Sequence, residues 1–241
     1  MKIGAQFFTI RDYCRTPEAL DESLKRVADI GYRHIQLSGV CPYEADWMAE
    51  RLRTYGLSVE ITHFDYNRIL RDPTGTIRFH DVMGCRWIGI GSNPRGVNPE
   101  GLAAMAAEIK PVLPALIAGG HRFMYHNHHM EFARFDGKTF LDLLCETFTP
   151  EECGVTLDTY WVQYSGHDPI KELRGSRILA PAAVRSGRLR PFQGYGVLAG
   201  GQGGPDGGDR GWQHELPGNS SRLRGCRCAV CVRRAGQLLR R

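Results

Sequence analysis

Arg122-Phe123-Met124-Tyr125-His126-Asn127-His128-His129-Met130-Glu131-Phe132 decides the fold. Arg122–Tyr125 suits a strand, and it runs at once into three imidazoles, an amide and a carboxylate. A strand that ends in a polar cluster is the pattern of parallel α/β folds, whose chemistry collects at the C-terminal strand ends. In an extended segment His126 and His128 point to the same side, so both would line one cavity. The imidazoles and Glu131 supply nitrogen and oxygen donors for a divalent ion. The same residues also suit a substrate-binding loop or a solvated polar one.

Outward from this stretch the same unit repeats. Lys2–Phe8, His34–Leu37, Leu57–Thr62 and Arg86–Ile90 read as earlier strands, and Gly154–Leu157 as a sixth. Thr16-Pro17 gives an N-cap and a proline at the first helical position, and Leu20, Leu24, Val27 and Ile30 recur at helical spacing up to Gly31. Further helices are predicted over Pro42–Tyr55, over Ile69–Met83 with Pro73-Thr74-Gly75 cutting into it, over Pro99–Ile117 kinked by Pro111 and Pro114, and over Lys138–Glu146. Repeated βα units imply a parallel sheet, doubly wound or closed into a barrel. No glycine-rich phosphate loop follows the first strand, which weighs against dinucleotide binding. The expectation is an α/β (β/α)₈ TIM barrel, incomplete here, with about six βα units over residues 1–174.

Polar residues follow every strand: Thr9, Arg11 and Asp12, then Ser38, then His63 and Asp65, then Ser92 and Asn93, then His126 to Glu131, then Asp158 and Tyr160. In a barrel they converge on one mouth. Asp158 closes an apolar strand in Leu157-Asp158-Thr159-Tyr160-Trp161, so it is a candidate carboxylate ligand with aromatic walls, Tyr160 among them, beside it. Capping a helix is the competing role for such an aspartate. His63 is a substrate contact or a hydrogen-bonded structural histidine, and Glu60, alternating with Val59 and Ile61, is a candidate to face inside the sheet.

The 241 residues, 42% hydrophobic and 24% charged, suffice for a buried core and sit near the size of one α/β barrel. No apolar run approaches the roughly 20 residues of a membrane span, and MKIGAQFFTIRD lacks the features of a secretory signal. Cytoplasmic residence, with Cys14, Cys41, Cys85, Cys145 and Cys153 as reduced thiols, is the expectation. Residues 1–174 carry a net charge of −4. That gives no basic groove, and disfavours a phosphodiesterase or other nucleic-acid role for this part.

Gln6 to Asp12, Thr62-His63, the Tyr-His-Asn-His-x-x-Glu-Phe stretch and Leu-Asp-Thr-Tyr-Trp together resemble the sugar phosphate isomerase/epimerase family, xylose isomerase-like barrels related to inosose dehydratases and endonuclease IV. The resemblance covers about residues 1–174. It implies a small sugar or polyol substrate and a divalent metal, Mn²⁺, Mg²⁺ or Zn²⁺, held by Glu, Asp, His and Glu from the last four strands. By that resemblance Glu131 and Asp158 match the first two ligands, and Glu131 also matches a proton-exchanging base. His63, His126, His128 and Tyr160 fall at substrate-binding positions. The implied reaction is isomerisation or epimerisation by proton transfer through an enediolate, with an inosose-type dehydratase as the alternative. The third and fourth ligands should come from a His-x-Lys-Asp word and a Val-Glu-Gln-Asp-like word, and neither occurs in the chain. This copy is therefore expected to be catalytically incomplete.

From Gly175 onward the composition changes abruptly: 12 Arg, no Lys, three acidic residues and 14 of the 29 Gly. An RNA-binding tail on a non-catalytic fragment is one reading, since guanidinium groups neutralise phosphates. Cys226-x-Cys228-x-x-Cys231, with His214 upstream, makes only a weak zinc signal. A third reading, a frameshift giving an irregular and disordered tail, explains more. Starting one base later, Trp212 before Gln213 forces glycine, and the same frame permits Val-His-Phe-Lys-Asp across Arg190 to Gly194 and Val-Glu-Gln-Asp across Arg233 to Gly236. Both missing words thus lie in one frame and in the right order. Sequencing codons 165–241 should reveal an inserted or deleted base. An intact frame whose shifted codons do not spell these words overturns the reading.

Overall fold

The computed structural model describes residues 3–175 and 196–197. Six parallel strands form a half-barrel: β1 (Gly4–Gln6), β2 (His34–Leu37), β3 (Ser58–His63), β4 (Trp87–Ile90), β5 (Arg122–His126) and, after a hairpin, β8 (Cys153–Asp158). Helices α1 (Pro17–Asp29), α2 (Ala45–Tyr55), α3 (Tyr66–Arg71), α4 (Pro73–Val82), α5 (Pro99–Ile109) and α6 (Leu113–Ala118) link the first five strands. The hairpin strands β6 (Arg134–Phe135) and β7 (Lys138–Thr139) precede α7 (Phe140–Thr147), and α8 (Thr159–Tyr164) and α9 (Pro169–Gly175) follow β8.

Local chemistry accounts for the departures from expectation. The first strand stops at Gln6, because the Thr9 hydroxyl donates to the Gln6 carbonyl at 2.7 Å and Phe7–Tyr13 coils into 3₁₀ turns. The helix expected over Ile69–Met83 is two, since Asp72 ends α3 and caps α4, accepting from Gly75 N at 2.8 Å ahead of Pro73. Pro111 and Pro114 likewise divide the span Pro99–Ile117 into α5 and α6. Lys138 is a strand residue rather than a helical one. Asp136 and Gly137, with φ of 49° and 83°, make a two-residue hairpin turn, and the helix begins only after Thr139, which forms a capping box with Asp142.

Alternation along the strands separates two environments. Outward residues pack under the helices in two apolar clusters. Ala5, Ile35, Leu37 and Val59 meet Leu20, Leu24 and Val27 of α1. Ile88, Ile90, Phe123, Tyr125, Val155 and Leu157 meet Leu102, Met105, Leu116, Phe140 and Leu144. The inward positions by register are Gly4, Gln6, His34, Gln36, Ile61, His63, Trp87, Gly89, Arg122, Met124, His126, Gly154, Thr156 and Asp158.

The sequence reading treats everything after residue 174 as irregular. Gly196–Val197, here β9, departs from that by pairing parallel with Leu157 and Asp158. The free edge of β8 offers unpaired N–H and C=O groups that any extended segment can satisfy. The rest of the predicted tail, with its three cysteines and both shifted-frame words, lies outside the described residues.

Gly89 tests the closeness of the strands, because a Cβ built there would stand 2.5 Å from the Thr62 carbonyl oxygen. Gly89→Ala should therefore cost about 1–3 kcal/mol of stability, read as a lower midpoint in urea. An unchanged midpoint would show that β3 and β4 separate freely.

Candidate functional site

His63, His126, His128 and Asp158 come together at the C-terminal ends of β3, β5 and β8. The His63 and His126 rings lie 5.0 Å apart, centre to centre, and those of His126 and His128 4.8 Å apart. His126 Nε2 is 3.7 Å from Asp158 Oδ2. His63 is oriented from β2: Gln36 Nε2 donates to its Nε2 at 2.9 Å, which leaves Nδ1 protonated to donate to Ser38 Oγ at 2.9 Å. Of the two competing roles of Asp158, the cap is the one seen. Its Oδ1 accepts from Tyr160 N at 2.9 Å and caps α8, while Oδ2 faces the imidazole.

Asn127 fixes this geometry, and sequence reasoning missed it. Its Oδ1 accepts from Asp158 N at 2.8 Å, and its Nδ2 donates to the Asp158 carbonyl at 3.4 Å. A buried amide between two histidines was the available signal, because such an amide must spend both its donor and its acceptor.

The aromatic wall is also real. Trp161 stands 5.3 Å from His128 and 5.4 Å from His129 between ring centres, with Tyr160 at 4.8 Å and Tyr164 at 5.6 Å. Tyr160 thus belongs to the wall and reaches the imidazoles through Trp161.

Glu131 stands apart from this group. Tyr125 points outward beneath α7, and its hydroxyl donates to Glu131 Oε1 at 2.8 Å; His128 N donates to Oε2 at 2.8 Å. The 3₁₀ turn Met130–Phe132 folds the carboxylate back, fully buried, to tie the loop after β5. Among the described residues no three His, Cys, Asp or Glu side chains converge so as to hold a metal ion. With Glu131 spent on Tyr125 and His128, the described residues do not by themselves fit the divalent ion that the resemblance implies.

Burial sets the charge of the cluster. Desolvation, and then the neighbouring His128, lowers His63 to about 4. Desolvation lowers His126 well below the ordinary imidazole value, with His63 and His128 adding to it. His128 is lowered by desolvation as well, with Glu131 pulling the other way. Near pH 7 the three rings are neutral, each able to donate one hydrogen bond and accept another.

No protein-family model matches this chain, and no curated protein does. Solved structures do. A sugar phosphate isomerase/epimerase from Parabacteroides distasonis superimposes with a TM-score of 0.65 at 17% identity, over 83% of this chain and 87% of that one. An L-ribulose 3-epimerase gives 0.56 at 17% identity, over 73% and 67%. A probable 3-DHS dehydratase, AsbF, from Bacillus anthracis gives 0.54 at 12% identity, over 73% and 70%. At these identities the likeness establishes the fold, a partial xylose isomerase-like TIM barrel.

The lowered imidazoles make stability depend on pH in a definite direction. Between about pH 6.5 and 4 the unfolded chain binds protons that folded His63 and the equally lowered, buried His80 refuse. Stability should be full above pH 6.5 and fall as the pH drops through that window, as urea midpoints would report. A midpoint constant over the window would refute the neutral cluster.

Proposed function

We propose that the mouth of this half-barrel binds a small neutral sugar or polyol, in the manner of a sugar isomerase/epimerase site, and that this copy binds without catalysing. One observation carries the reading: three uncharged imidazoles and one carboxylate converge at the strand ends beside an aromatic wall. His63 is held by Gln36 and Ser38, and the neutral rings of His126 and His128 offer the mixed donors and acceptors that hydroxyl groups need. Trp161 offers a flat apolar face for the C–H face of a sugar. Asp158, held by Asn127, would accept from a hydroxyl, and His126 would orient the next one.

Catalysis asks for more. Moving a proton between adjacent carbons needs a placed base, an acid to return the proton, and fixed positive charge or donors on the enediolate oxygen. Asp158 is the one carboxylate in the cluster, since Glu131 is committed to Tyr125 and His128. The words that would bring a further His and Glu are absent from the sequence. Among the described residues no helix is long and apolar enough to cross a membrane, and five cysteines are free thiols. A cytoplasmic protein that binds a dissolved metabolite suits that picture.

Calorimetric titration with ketoses and inositols should show binding, weakened about tenfold by Trp161→Ala. Solvent deuterium should not enter the C–H positions of any ligand, with or without added Mn²⁺. If no sugar or polyol binds, the site reading fails. Deuterium incorporation would instead show that the chain is an active enzyme.

A further inference from the structure

The polar character of the mouth continues down into the barrel. In a closed parallel barrel the register climbs about one residue per strand, so inward side chains from alternate strands share a layer. By the observed registers, Gln6 of β1, His63 of β3 and His126 of β5 form one layer. Gln36 of β2, Gly89 of β4 and Thr156 of β8 form the next. Ile61, Trp87 and Met124 lie beneath them, with the Arg122 guanidinium against Trp87.

Barrel interiors are ordinarily filled with branched apolar side chains. Here two successive layers carry polar side chains, and beyond the bonds that His63 makes to Gln36 and Ser38 part of their hydrogen-bonding capacity is not spent. Gln6 Oε1, Gln36 Oε1, Thr156 Oγ1 and His126 Nδ1 have no partner, and each belongs to a residue more than nine-tenths buried. Buried polar atoms are paired as a rule, so four orphans in one half-ring mark a place built for something else. The four residues are linked through His63. Gln6 and Gln36 are register neighbours, Gln36 holds His63, the His63 ring lies 5.0 Å from that of His126, and Thr156 is the register neighbour of His126. Gly89 adds no side chain to its layer, and Ile61 packs against it from below.

The chemistry of the set selects its ligand. Two amide oxygens, a hydroxyl and an imidazole nitrogen carry no formal charge, and together they both accept and donate. Hydroxyl groups match them, whereas a phosphate or carboxylate would meet two amide oxygens with no cation among the four. Asp158 stands two residues above Thr156 on the same face of β8, about 7 Å along the strand. A ligand touching both therefore extends over several carbons.

We infer that Gln6, Gln36, Thr156 and His126 form a deeper subsite that takes the hydroxyls of an unbranched neutral polyol reaching down from the mouth. This rests on the reading of the mouth as a sugar or polyol site and names the class of ligand.

The test titrates the full chain, Gln6→Leu and Thr156→Val with glycerol, erythritol, xylitol and sorbitol. Calorimetry gives affinity, and the side-chain amide resonances of Gln6 and Gln36 report occupancy of the subsite. Affinity should rise along the series, with the amide resonances moving for xylitol and sorbitol. Each variant should bind sorbitol about fivefold more weakly, the loss of one neutral hydrogen bond, and bind glycerol unchanged. Variants that keep the whole gain with chain length overturn the subsite. Should a variant fail to fold, the amide resonances of the unsubstituted chain decide alone. Binding that needs Trp161 but leaves those resonances still removes the subsite and keeps the mouth. Amide shifts insensitive to Trp161→Ala do the reverse, and no response to any polyol removes both.

Discussion

The peptide group of Asp158 is held from the side by the amide of Asn127, and the arrangement of the site depends on that clasp. Parallel strands bond along their length, but where β5 and β8 end their last peptide groups lose those partners. Asn127 replaces the missing ladder with one side chain that both accepts and donates. The replacement is directional. It fixes where β8 stops and therefore where α8 starts, with Asp158 as its cap. One carboxylate oxygen is consumed by that cap, and the other is left facing His126.

The neighbouring residues divide along the same strand. Tyr125 and His126 are adjacent, and the alternation of a strand sends them to opposite faces. Tyr125 is drawn into the apolar layer under the helices, where its hydroxyl would be unsatisfied without Glu131 and Asn93, whose N–H donates to it at 3.2 Å. Glu131 is thereby made part of the scaffold. Desolvation, and then the neighbouring Glu131, pushes the Tyr125 hydroxyl far above the ordinary phenol value, so Tyr125 stays a donor. His126, one residue on, faces inward with an unpaired Nδ1. A loop of a few residues thus puts its carboxylate into structure and its imidazoles into the site.

Charge follows from that placement. Three imidazoles, with the His126 ring 5.0 Å from that of His63 and 4.8 Å from that of His128, cannot all hold protons away from water. They remain neutral, and Asp158 is the one carboxylate among the four. A half-barrel with such a mouth suits hydroxyl recognition better than charge stabilisation. The same logic extends inward, where Gln6, Gln36 and Thr156 keep the interior polar without adding charge.

Much of this was legible in the sequence because it rests on local rules. The βα repeat, the strand His34–Leu37, the split at Pro73 and the gathering of His63, His126, His128 and Asp158 at one end follow from periodicity, proline and chain polarity. The roles of Asn127 and Glu131 did not follow. Spacing places a residue on a loop, but only the packed loop decides whether its carboxylate turns toward the barrel axis or toward the helices. The polar interior was hidden for a related reason. Gln6, Gln36 and Thr156 lie far apart in the chain, and their common depth exists only once strand register and barrel tilt are set. The sequence by itself determined the kind of fold and the side chains available at its mouth. The tertiary structure decided which of them are spent on holding the fold, because a buried hydrogen bond committed to the scaffold is not free for a ligand.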